Sequence, residues 1–251
     1  MIEKISVLSG QDKEGKAEGY QQIDIYAGEI VAVVGATGSG KTRLISDIEQ
    51  YAFGETPTKR KILINNLSAS EYYELNNQRQ FVGQVTQNMN FVMDVKVGDF
   101  LTMHAESRGM YNARSIIKKV LEAANNLAGE PFDEEDDLTS LSGGQSRALM
   151  IADVALISDV GIVLMDEIEN AGIDRIKAFN LLTSKGKISI TSTHDPLMAL
   201  MANRRIVMSG GGIKSVLWTN ETERSWLSQM LLYDKKLQKL RDIIRKGGQI
   251  P

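Results

Sequence analysis

The chain has 251 residues, 42% of them hydrophobic, with 29 Lys and Arg against 32 Asp and Glu and a net charge of −3. That length buries a sizeable core as one domain or as a core with a subdomain, and the charge balance gives no overall basic footprint for nucleic acid. With no cysteine and two histidines, disulfides, thiolate metal sites and iron–sulfur clusters have no ligands, and a His-rich metal centre is not expected.

Met1-Ile2-Glu3-Lys4 lacks the apolar stretch of a signal peptide, and no run approaches the length of a membrane span. A cytoplasmic chain is expected, peripheral on the inner face of a membrane only through a partner. Asn66-Leu67-Ser68 fits a glycosylation sequon, which is not expected to be used without a secretory signal.

In chain order, Ile5-Ser6-Val7 and Gln21 to Ile25 alternate like half-buried strands. The polar segment Gly10 to Gly19 between them reads as a loop. Ile30 to Val34 is short, branched and apolar, as a buried parallel strand should be. A helix is predicted from Lys41 to Tyr51, and further strands at Lys61–Asn65 and Phe81–Val85. After Asp94 the period changes. Val97, Phe100, Leu101 and His104 share a helical face, as do Ala113, Ile116, Ile117, Val120, Leu121, Ala124 and Leu127. The simplest division is an α/β core over 1–93 and 146–220, with a helical subdomain over 94–145.

The β/α pattern then returns. Ser146 to Leu156 reads as a helix. Ile162 to Met165 and Ile188 to Ser192 read as strands. Arg205 to Met208 and Ile213 to Leu217 bracket Gly210-Gly211-Gly212, which predicts a hairpin. A C-terminal amphipathic helix occupies 221–251. It places Leu227, Met230, Leu231, Leu237, Leu240 and Ile244 on one stripe. Such a stripe packs on its domain, pairs with a partner or lies on a membrane surface, and packing is the expectation.

The chemistry centres on Gly35-Ala36-Thr37-Gly38-Ser39-Gly40-Lys41-Thr42. It follows an apolar strand and precedes a helix, the context of a phosphate-binding loop. Glycines let the backbone curl its N–H groups around phosphate oxygens, and the helix N-terminus favours an anion. Lys41 reaches the β- and γ-phosphates, and the Thr42 hydroxyl ligates Mg²⁺. The plain alternative is a Gly-rich turn with a chance lysine.

Asp166 and Glu167 end a strand at the sheet edge where ligands bind. Asp166 there holds Mg²⁺ through water and Glu167 polarises an attacking water, unless both merely cap a helix. Leu141-Ser142-Gly143-Gly144-Gln145 offers a second phosphate-facing helix terminus, or else a serine cap with a glycine turn. His194 follows a strand and faces the γ-phosphate or the water, unless it is structural. The Gln87 amide oxygen is a further candidate for Mg²⁺ or water.

Together these features resemble the ATP-binding cassette (ABC) ATPases. The likeness runs over about residues 1–217, with the motifs in matching order and spacing. Leu141–Gln145 is the family signature, Gln87 its glutamine loop, Ala171–Asp174 its dimer-contacting D-loop and His194 its switch histidine. The resemblance implies a P-loop NTPase of ABC type, with a parallel-sheet core, an antiparallel β portion and a helical subdomain. It implies a head-to-tail homodimer through Leu141–Gln145 and Ala171–Asp174. Each ATP with its Mg²⁺ then lies between one chain's Lys41 loop and the other chain's Ser142 loop.

This chain departs from the family in three places. Ile168 stands where proline is usual after the catalytic glutamate. Ser146-Arg147 and Ala152-Asp153-Val154 replace Gln-Arg and Ala-Arg-Ala on the signature helix. Gln11 and Asp12 occupy the region of the usual adenine-stacking aromatic, with Tyr20 and Tyr26 the nearest rings. The leading function is the energising subunit of a membrane transporter, with separate membrane-spanning subunits. The alternative is a soluble ABC switch that remodels a protein or nucleic-acid partner. A monomeric phosphoryl-transfer enzyme conflicts with the intact signature.

Overall fold

The computed structural model describes residues 2–76, 81–86, 91–111, 113–168, 173–184, 186–245 and 247–249. Near the N-terminus, β1 (Lys4–Leu8) lies between β2 (Gln22–Tyr26) and β4 (Lys61–Ile64) in an antiparallel sheet. Ile23 and Ile25 turn inward from β2, as period 2 requires. β1 is not half-buried as its alternation suggests. Ser6 is buried beside Ile5 and Val7, and its hydroxyl donates to the Asp24 carboxylate at 2.5 Å.

A six-stranded sheet carries the rest. Its order is β5 (Val82–Val85), β6 (Ile162–Asp166), β7 (Ile188–Ser192), β3 (Ile30–Val34), β8 (Arg204–Ser209) and β9 (Gly212–Trp218). β5 to β8 run parallel, and β9 returns antiparallel through the glycine hairpin. Successive side chains serve opposite faces. Val31, Val33, Ile162 and Leu164 pack with the small sheet and with Leu44, Ile45 and Ile48 of α1 (Lys41–Glu49). Val163 and Met165 join the other core, with Leu149 and Ala152 of α5 (Gly143–Leu156) and Phe179 of α6 (Arg175–Thr183).

α3 (Val97–Ser107) and α4 (Arg114–Leu127) bury the apolar faces their spacing describes, and α4 packs along α5. Asp153 of α5 is turned inward. It meets the half-buried His104 Nδ1 of α3 at 2.7 Å.

Three short helices have no clear apolar period: α2 (Ala69–Asn76), α6 and α7 (Pro196–Met201). Their caps were nevertheless present in the sequence. Ser68 and Glu71 exchange capping bonds before α2. Asp174 caps α6, and Asp195 caps α7 with Pro196 just inside it.

α8 (Glu221–Arg245) departs from the single stripe. Leu227, Met230 and Leu231 are half-buried, and the helix packs on α7, whereas Leu237 and Ile244 are exposed. Among the described residues its ion pairs to the domain are Glu223–Arg205 at 2.5 Å and Asp234–Arg175, both in or at the end of the first half.

One buried ion cluster joins several parts. Arg60 donates to both Glu18 oxygens at 3.0 and 2.7 Å, to Asp47 Oδ2 of α1 at 3.0 Å, and to the Gly211 carbonyl at 3.0 Å. Glu18 also accepts the Gly10 and Ile213 N–H groups. Burial pushes the Glu18 carboxyl up, but the Arg60 hydrogen bond and these two N–H groups outweigh it and hold the value below normal. A depressed carboxylate stabilises the fold above its ordinary value of 4.5, and that contribution is lost as pH falls through the folded-state value. In urea unfolding, wild type is therefore expected to lose stability below pH 4.5, and Glu18→Gln to show a shallower acid decline. Arg60→Ala, which leaves two buried carboxylates unpaired, is expected to cost about 3–5 kcal/mol at neutral pH.

Candidate nucleotide site

The phosphate loop leaves the carboxyl end of β3, inside the parallel sheet. Gly35 has φ 152° and Gly40 φ 105°. A Cβ on Gly35 would come 2.5 Å from the Met208 carbonyl, and one on Gly40 would come 2.9 Å from Gly211 Cα. Glycine is required by both conformation and space. The Gly211 N–H donates to the Ser39 carbonyl at 2.9 Å, so the hairpin turn backs the loop.

Gly40 caps α1 without a side chain, which leaves the first-turn N–H groups of α1 available to an anion. Lys41 is buried, and its Nζ donates to the carbonyls of Gly35 at 2.9 Å and Ala36 at 3.2 Å. Ala36, Thr37, Gly38 and Thr42 are exposed. Ser39 Oγ is buried with no hydrogen-bond partner among the described residues. An orphan donor inside a glycine cradle fits a phosphate oxygen.

The strand order β6-β7-β3 brings the other groups to the same edge. Asp166 ends β6 and Glu167 follows it. Glu167 has φ 51°, a left-handed conformation that costs a non-glycine residue about 1–2 kcal/mol. Its N–H donates to the Ser192 carbonyl at 3.0 Å, and its Oε1 lies 3.2 Å from His194 Nε2. His194, Thr193, Asp195 and Gly35 line one cleft of about 410 Å³. Glu167, His194 and the phosphate loop therefore share a neighbourhood. Gln87, Glu169, Asn170, Ala171 and Gly172 lie outside the described residues.

The signature run stands apart. Ser142 caps α5, which begins at Gly143, three residues earlier than its apolar pattern indicates. The Ser142 hydroxyl accepts from Gln145 N at 3.3 Å, and the Gln145 side chain accepts from Ser142 N at 2.8 Å. The capping box lets two glycines occupy the first turn. It uses the hydroxyl only as an acceptor, so its O–H remains to donate. Among the described residues, no hydrogen bond or ion pair joins 141–145 to 35–42 or to 166–167.

A second cavity of about 520 Å³ opens beside Gly40, lined by Gln11, Asp12, Lys13, Arg43, Thr58 and Gly211 among others. Neither candidate ring lines it. Tyr20 is bonded to Glu18 and partly buried, and Tyr26 is exposed on β2. Sequence reasoning missed Lys13, whose Nζ donates to the Gly38 carbonyl at 2.5 Å, and the Arg60 cluster behind it. A lone lysine in a polar loop carries no period or motif that marks such a contact.

A phosphate loop at the end of a parallel strand, with acids and a histidine on the neighbouring strands, defines the P-loop NTPase class. The family model for ABC transporters matches residues 21–170. An uncharacterized ABC transporter ATP-binding protein of Methanocaldococcus jannaschii is 48% identical over 249 residues, covering 99% of this chain and 95% of that protein. The chain belongs to the ABC transporter family, as an ATP-binding cassette. Other relatives are longer, and the chain covers 12% to 40% of their length.

Solved structures share the fold. One is cbiO1 of Clostridium perfringens, part of the ABC transporter complex cbiONQ. Its TM-score is 0.62 at 21% identity, with 97% of this chain and 100% of that one covered. Another is a dimeric post-hydrolysis ATP-binding cassette bound to ADP and Pi. Its TM-score is 0.59 at 21% identity, with 86% and 99% covered.

Lys41→Ala is expected to lower ATP affinity about 10- to 100-fold, the loss of one charge-assisted contact. Calorimetric titration reads the affinity, and an unchanged urea midpoint shows that the fold survives.

Proposed function

We propose that this chain binds ATP with Mg²⁺, hydrolyses it in a head-to-tail homodimer and energises separate membrane-spanning subunits at the inner face of a membrane. The observation that carries the reading is the strand order. It sets the glycine cradle with its orphan Ser39 hydroxyl beside the Glu167–His194 pair on one sheet edge.

In this reading residues 35–42 hold the triphosphate. Gly35, Gly38 and Gly40 shape the loop, Lys41 exchanges its carbonyl contacts for phosphate oxygens, and Ser39 donates its free hydroxyl. Thr42, Asp166 and Gln87 are an all-oxygen donor set suited to Mg²⁺, which supplies positive charge to the phosphates. Glu167 orients the attacking water, and its left-handed backbone aims the carboxylate away from the strand. His194 steadies that carboxylate and faces the γ-phosphate. Glu167 rather than Asp166 suits the water because it already has a side-chain partner that fixes its direction.

Ser142, Gly143, Gly144 and Gln145 supply the second half-site, to the nucleotide on the opposite chain. The free Ser142 O–H and the N-terminal N–H groups of α5 are the donors. Leu141–Gln145 and Ala171–Asp174 face the other copy. A cassette of the same fold is dimeric, and another is part of a transporter complex. No described helix is long and apolar enough to cross a membrane.

Glu167→Gln is expected to retain ATP affinity, slow phosphate release about 100-fold or more, and accumulate an ATP-dependent dimer in sedimentation. Adding Ser142→Arg is expected to abolish that dimer while ATP still binds to the Lys41 loop. Phosphate release at the wild-type rate in Glu167→Gln would move the water-orienting role elsewhere. Purified from detergent-extracted membranes of its native cells, the tagged chain is expected to bring an integral membrane subunit with it. Recovery with soluble proteins alone would favour the remodelling switch.

A further inference from the structure

α8 carries a surface the ATPase reading does not use. Trp226, Met230, Tyr233, Leu237, Leu240 and Ile244 recur at alternating spacings of four and three, one stripe along the helix. Trp226, Tyr233, Leu237 and Ile244 are 58%, 64%, 51% and 58% exposed, well beyond what a helix packed on its own domain leaves open. Met230 and Leu240 are half-buried within the stripe, and the ion pairs to the domain use another face, through Glu223 and Asp234. At 1.5 Å per residue, the segment after Asp234 extends the stripe by roughly 16 Å.

Charge decides what covers this stripe. The chain as a whole is net −3, yet residues 235–246 hold six basic side chains against one acid, Asp242. Lys236 flanks the apolar stripe on one side and Arg241 on the other, and both are exposed. The Lys236 ammonium lies 5.8 Å from the Tyr233 ring centre. Self-pairing is opposed in both directions. A parallel pair of α8 helices sets Lys236 against Arg241 of the other copy. An antiparallel pair in the matching register sets Lys236 against its own counterpart. Anionic headgroups above an acyl surface satisfy both features, and Trp and Tyr rings suit that boundary.

We propose that α8 is an interfacial helix that docks the chain on an anionic lipid surface. Its apolar stripe enters the headgroup boundary, and Lys236 and Arg241, which flank it, meet lipid phosphates. This docking is independent of the ATPase reading, because it uses no residue of the nucleotide site and needs no nucleotide.

The test uses the full chain without nucleotide, in sedimentation with vesicles. Wild type is expected to bind phosphatidylcholine mixed with phosphatidylglycerol, to ignore pure phosphatidylcholine, and to weaken as salt rises. Leu237→Asp with Ile244→Asp is expected to abolish binding. Both sites are exposed, and unchanged ATP affinity shows that the variant is folded. Lys236→Gln and Arg241→Gln are each expected to weaken binding about fivefold. Lys118→Gln with Lys119→Gln, on the exposed face of α4, is expected to leave it unchanged. Trp226 emission in a Trp218→Phe background is expected to be quenched by brominated anionic lipid. No binding by wild type, equal binding to neutral vesicles, or equal losses from the α4 lysines would overturn the proposal. So would a free-protein oligomer that Leu237→Asp dissociates, which would assign the stripe to a helix partner.

Discussion

Arg60 is wholly buried between Glu18 and Asp47, and the geometry of the phosphate loop depends on it. A guanidinium leaves water only at a cost of several kcal/mol, which four well-aligned hydrogen bonds offset here. Those bonds run to three places: the loop at 10–19, the body of α1, and the turn at Gly211. Lysine at this position has three donors and no planar fork, so it cannot make all four bonds. The turn in turn meets the phosphate loop, because the Gly211 N–H holds the Ser39 carbonyl and its backbone fills the space a Gly40 side chain would need. A loop rich in glycine is thereby held in one shape from outside.

The sheet supplies the second constraint. Parallel strands all end on the same edge, so groups distant in sequence become neighbours once the strand order is set. β7 lies between β6 and β3, which places His194 between the acids and the phosphate loop. The same adjacency explains the left-handed backbone at Glu167. Its N–H is held by the Ser192 carbonyl of β7, and the chain must turn sharply there to leave the sheet. Strain concentrated beside a histidine contact is the pattern of a site over-determined by its surroundings.

The signature loop is built as a helix cap that keeps a donor available. Ser142 is a helix cap, and its capping bond leaves a hydroxyl proton unused. The Gln145 side chain completes the cap, so the first turn of α5 tolerates two glycines without fraying. The charged cavity beside Gly40 shows a different kind of adaptation. Lys13 and Arg43 face a space that neither Tyr20 nor Tyr26 reaches. α8 is likewise divided between a face held by ion pairs and an apolar stripe left open.

Much of the fold and site was legible in the residues alone. The phosphate loop, Asp166-Glu167, the signature and the main buried strands follow from local rules. Glycine spacing, a helix terminus and apolar period are properties of neighbouring residues, and backbone geometry repeats within a few positions. The short helices α2, α6 and α7 escaped because, at six to nine residues, they span too few turns to show a period, although Ser68, Asp174 and Asp195 marked their starts. The tertiary structure alone decided the Arg60–Glu18–Asp47 cluster, the Glu167–His194 pair, the inward turn of Asp153 and the split face of α8. Each joins segments far apart in the chain, and no local pattern encodes which distant partner a buried charge will meet.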